Sequence, residues 1–156
     1  MRLDQDLANF TSSAVMIILG TSNDALQPEI GRAVGAVARP EQGEIDLVLS
    51  VWQWPGTVSN VRANGRLSVT FARPSDYVSY QAKGRAAVIP CTDEHLARAA
   101  AYIDATSAVL ADLGLGREIS APWLITRDLT ALSLSVESVF VQTPGAKAGQ
   151  MLQVGR

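Results

Sequence analysis

The chain has 156 residues with 47% hydrophobic and 18% charged content, which excludes a disordered polymer and allows one domain with one sizeable core. Its formal net charge of −2 argues against a generic nucleic-acid binder, which is usually basic. One cysteine, Cys91, excludes a disulfide framework or a cysteine-based metal cluster within the chain.

In chain order, Leu3 to Phe10 carries apolar residues at helical spacing and reads as a short helix. The start MRLDQDLANF lacks a signal-peptide core. The longest apolar run, Ala14 to Leu19, falls short of the ~20 residues of a membrane helix. The reading is therefore a cytoplasmic protein with no membrane partner. Ala14 to Gly20 has strand length and is expected to lie centrally, covered on both faces. Thr21 to Gln27 is turn chemistry, and Pro28 to Ala38 reads as one strand with Gly31 and Gly35 inside it. Interior glycines mark a bulge or a close backbone approach. A turn at 39–43 leads to a third strand, Ile45 to Trp52. Pro55 then opens two short helical turns that stop at Asn64-Gly65.

The most informative stretch is Asn64 to Ala87, two strands joined at Arg73-Pro74-Ser75-Asp76. In the first, Leu67, Val69 and Phe71 alternate with Ser68 and Thr70. In the second, Val78, Tyr80, Ala82 and Gly84 share one face, and Tyr77, Ser79, Gln81, Lys83 and Arg85 the other. So polar a face meets water or lines a ligand site. Basic residues crowd here: Arg62, Arg66, Arg73, Lys83 and Arg85. Thr92 caps a long alanine-rich helix, His95 to Leu113. Glu118 to Ile125 holds a further helical turn. Leu129 to Gln142 is the last strand, and a parity change near Ser138 predicts a bulge. The tail 143–156 is expected to be extended. Short strands joined by turns predict an antiparallel, mainly β barrel with flanking helices, as one domain over 1–156.

The chemistry is sparse. No zinc motif, phosphate-binding P-loop or dinucleotide fingerprint is present, and the scattered acids form no catalytic pair. No catalytic residue and no metal ligand can be named. His95 lies at a helix start, and Cys91 reads as a small strand-end residue. What remains is an anion site. Arg32, between two glycines, can bind a phosphate with two parallel bonds or serve as a surface ion-pair partner. Thr57 to Asn60 offers hydroxyls and a helix start. Trp52 and Trp54 can stack on a planar ring or simply pack.

The element order and the hairpin resemble the pyridoxamine 5′-phosphate oxidase-like, FMN-binding split β-barrels. The matching features are the turn Thr21 to Asp24, Arg32, Asn64-Gly65, and Val69 to Tyr77 running on to Gly84. The resemblance implies a split β-barrel homodimer that binds FMN at the subunit interface and acts as a flavin-dependent oxidoreductase on a small molecule. It implies Arg32 as the phosphate arginine, and Ser50, Val51 and Trp52 beside the isoalloxazine ring. Thr57, Ser59 and Asn60 fall in the phosphate loop, Ser79 or Gln81 reaches the flavin edge, and Trp123 and the tail are expected from the partner subunit. The cations expected after Arg32 and in the loop are replaced by Ala36, Val37, Ala38 and Thr57. The alternative is a non-catalytic module for a flavin, a deazaflavin or heme on the same dimer.

Overall fold

The structure, a computed structural model, describes residues 2–152. Asp4 caps α1 (Gln5–Thr11), its carboxylate accepting the Asp6 N–H at 2.7 Å. The strands are β1 (Met16–Ser22), β2 (Pro28–Arg32), β3 (Gly35–Arg39), β4 (Glu44–Ser50), β5 (Arg66–Ala72), β6 (Ser79–Ile89) and β7 (Leu129–Val141). They form one antiparallel sheet in the order β2-β1-β5-β6-β7-β4-β3. The helices are α2 (Pro55–Asn64), α3 (Asp93–Asp112) and α4 (Arg117–Ser120), the last continuing as a 3-10 turn over Ala121–Trp123.

The sheet curls until its two edges are joined by the chain itself. The single strand expected over Pro28 to Ala38 is two, on opposite edges of the sheet, with Ala33 and Val34 between them. The Ala33 N–H donates to Ile17 O at 3.1 Å and the Val34 N–H to Val48 O at 2.7 Å, so adjacent residues bond to opposite halves. The expectation of continuity failed because neither small residue carries a turn signal.

Register fixes what each face carries, since paired residues share a face. Leu19, Val69, Ala82 and Val139 form one inward row, and Leu47, Leu132 and Val88 another. The inward faces, together with Val58 and Val61 of α2, make the core. The predicted bulge exists: Lys83 pairs with Ser138 but Gly84 with Val136, which leaves Glu137 as the extra residue. Gly84 is required there, because a Cβ would stand 2.0 Å from the Ser135 carbonyl oxygen.

Two expectations need correction. β1 is fully buried on one face only and half-buried on the other, alternating along its length. The tail is not extended: it turns over 144–149 and folds back, the Leu152 N–H donating to Val139 O at 2.8 Å. Residues 153–156 of that expectation lie outside the described residues.

The outer face has two halves. Over β3 and β4 it is covered by α3, with Gly35 so close that its Cβ would meet the Ala99 backbone at 3.3 Å. Over β1, β5 and β6 it is open.

Candidate functional site

The site begins at the seam between those halves. Arg32 ends β2 and shares an outward row with Ile18, Thr70, Gln81 and Phe140. Within that row the Gln81 amide donates to Thr70 Oγ1 at 3.1 Å. The Arg32 guanidinium lies over the Trp123 ring, 5.0 Å from its centre, and its Nη1 is buried without a partner among the described residues. A buried guanidinium nitrogen left unpaired is costly, so this donor is a place for an acceptor.

The turn after β4 stands beside the same segment. Ser50 Oγ donates to Arg127 O at 2.6 Å, and Gln53 Nε2 to Pro122 O at 2.7 Å. Trp52 is 53% exposed and carries the Arg127 guanidinium 4.6 Å from its ring centre. Arg32, Ser50 and Trp52 are thus tied to one stretch, 122–127, and the Val51 N–H donates to Asp128 O at 2.8 Å beside it. Arg127 and Gln53 escaped sequence reading, because only the fold shows that 122–127 meets the β4 end. Trp123 packs on the Arg32 of its own chain.

Thr57, Ser59 and Asn60 are held elsewhere. Gly31 faces inward, opposite to Arg32, and a Cβ on it would stand 2.6 Å from Thr57 Oγ1. Thr57 is fully buried and its hydroxyl has no partner among the described residues. Asn60 Nδ2 donates to Thr21 Oγ1 at 3.1 Å, pinning α2 to β1. Ser59 is exposed. The first turn of α2 already faces an anion, since a Cβ on Gly56 would lie 2.8 Å from Glu29 Oε1. Ser79 is buried at the start of β6, its hydroxyl donating to Tyr77 O at 3.1 Å.

The titratable groups of the covered half are structural. The Thr92 N–H donates to His95 Nδ1 at 3.1 Å, so Nε2 carries the ring proton and donates to Asp46 Oδ2 at 3.0 Å. Arg39 Nε reaches the same carboxylate oxygen at 3.1 Å and Arg39 Nη2 reaches Glu94 at 2.8 Å. Burial pushes the Asp46 carboxyl up. Bonds from His95, Ser133 and Arg39, with the Arg39 charge, outweigh it and hold the group below the usual carboxylate range. Burial pushes the Tyr102 hydroxyl up to about 12, and that hydroxyl donates to Val15 O at 2.7 Å. Burial also raises the Cys91 thiol, which makes it a poor nucleophile. Among the described residues no cluster of side chains could hold a metal ion, and no helix is long and apolar enough to cross a membrane.

No protein-family model matches the sequence, and no curated protein does. Solved structures do match. HupZ from Group A Streptococcus superposes with a TM-score of 0.58 at 15% identity, over 94% of this chain and 99% of its own. A candidate pyridoxamine 5′-phosphate oxidase from Lactobacillus delbrueckii gives 0.54 at 15% identity, over 90% of this chain and 94% of its own. The fold is the pyridoxamine 5′-phosphate oxidase-like split barrel. HutZ, the heme storage protein from Vibrio cholerae, shares this split barrel with a TM-score of 0.53 at 17% identity, over 90% of this chain and 95% of its own. The curled sheet and flanking helices expected from the sequence are the architecture of the split barrel.

Proposed function

We propose that the protein binds FMN as a homodimer and serves as a flavin-dependent oxidoreductase on a small molecule. The observation that carries this reading is Arg32, whose buried Nη1 has no partner among the described residues and lies beside the Ser50–Trp52 turn. That donor fits a phosphate oxygen, since guanidinium binds phosphate in fixed geometry. The exposed Trp52 supplies a planar surface for a ring. The α2 end fits a phosphate poorly because Glu29 lies against it. Asn60 accordingly holds α2 against β1, and Arg32 is the principal phosphate contact. Gln81 sits on the open face, where a flavin edge or a second subunit would meet it, whereas Ser79 is buried with its hydroxyl bonded to Tyr77 O.

When bound, the flavin supplies reversible hydride acceptance, and this chain's residues bind and orient it. The second reading is a non-catalytic ligand carrier on the same dimer, for which the likeness to a heme storage protein speaks. A histidine-ligated heme does not suit it, because both ring nitrogens of His95, the one histidine, are engaged in the fold.

Titration of purified protein with FMN tests the reading. The expected result is a yellow complex, quenched flavin fluorescence, and at least about tenfold weaker binding for Arg32→Gln. Unquenched FMN, or unchanged affinity in that variant, would overturn the assignment. Sedimentation of the loaded protein checks the dimer.

A further inference from the structure

The open half carries a second feature, which meets the proposed flavin region at Gln81 but does not include Arg32. A groove of about 580 Å³ runs across β1, β5, β6 and β7. Its floor is low because Gly20 and Ser68 are paired in one outward row, flanked by Ile30 on one side and Lys83 on the other. Its walls are charged. Arg66 and Arg85 are direct cross-strand partners on one face, and Lys83 lies two residues before Arg85 on the same strand. Like charges placed opposite each other on a sheet repel and cost stability.

Little among the described residues relieves that repulsion. Arg85 spends Nη1 on the Asn64 carbonyl, at 2.9 Å. The Arg66 ion pair with Asp24 is long, at 3.9 Å, and both side chains are well exposed. Lys83 holds its Nζ 4.9 Å from the centre of the Phe140 ring, which orients the ammonium without neutralising it. Glu137, the extra residue of the bulge, is the single acid among the groove's lining residues.

We propose that this groove binds a phosphorylated small molecule carrying at least two negative charges, held by Arg66, Lys83 and Arg85. The volume suits a compact ligand, and two guanidiniums on adjacent strands suit phosphate oxygens. The acidic net charge of the whole chain disfavours a long polyanion and favours a small one.

Inorganic pyrophosphate is the probe, titrated by calorimetry at fixed ionic strength against the wild type, Arg66→Gln, Lys83→Gln and Arg32→Gln. The expected result is saturable binding that weakens at least about tenfold in Arg66→Gln and in Lys83→Gln and is unchanged in Arg32→Gln. Independence of Arg32 separates this site from the proposed cofactor site, which shares only Gln81 with the groove. Both groove substitutions lie on exposed side chains, and an unchanged melting temperature confirms that each variant is folded. Absence of pyrophosphate binding, equal affinity in the groove variants, or equal weakening by Arg32→Gln would overturn the proposal. So would tighter binding of a single-stranded oligonucleotide than of pyrophosphate.

Discussion

The two halves of the sheet's outer face do different work with similar materials. Under α3 the charged groups are paired: Asp46 takes bonds from His95 and Arg39, and Tyr102 takes Val15 O as its acceptor, while the buried Thr106 hydroxyl alone on that helix has no partner among the described residues. On the open half, Arg32 keeps a buried donor without a partner among the described residues, and Arg66 faces Arg85 across the ladder. Satisfied polar groups stabilise; unsatisfied ones await something from outside. In the proposed reading, ligand binding belongs to the open half and stability to the covered one.

Substitutions can break that contrast. The largest expected effect is Asp46→Ala, which strands the His95 Nε2–H and loosens Arg39. It should cost about 3 kcal/mol, seen as a lowered midpoint in urea denaturation. Tyr102→Phe leaves Val15 O without its donor and should cost about 1–2 kcal/mol in the same measurement.

The pH dependence follows from the sign of the Asp46 shift. Its folded carboxyl titrates below the unfolded one, so its stabilisation is present above the unfolded value, roughly pH 4. It is lost as pH falls through the folded value. Asp46→Asn should flatten the acid limb of the stability profile, measured by thermal melts across pH. The smallest stability effect belongs to the open half: Arg32→Gln should change stability by less than about 0.5 kcal/mol while weakening FMN. A large loss of stability in that variant would erase the distinction between the halves.

The sequence made the barrel legible through its hairpin. The alternation of Leu67, Val69 and Phe71, and the opposite polar set ending in Lys83 and Arg85, is how β5 and β6 sit in the sheet. The bulge near Ser138 was legible too, because a change of parity in an apolar pattern has few other causes. The break at Ala33-Val34 was not, since it is imposed by closure of the sheet and carries no local mark. The site was legible only in part. Arg32 stood out between glycines, but its neighbours at 122–127 come from a distant segment brought in by tertiary packing. Whether Thr57 faces outward or inward depended on which face Gly31 takes, and that required the register.

The passage from β2 to β3 has a consequence for how the chain tolerates alteration. The two outermost strands of the sheet are neighbours in sequence, so a short covalent link is what joins the two borders. Lengthening the chain at Ala33-Val34 would let the borders drift apart and present two bare rows of amides and carbonyls to other molecules. An insertion of equal length in the exposed connection 73–78 has no such effect, and the solubility of the two products would tell them apart.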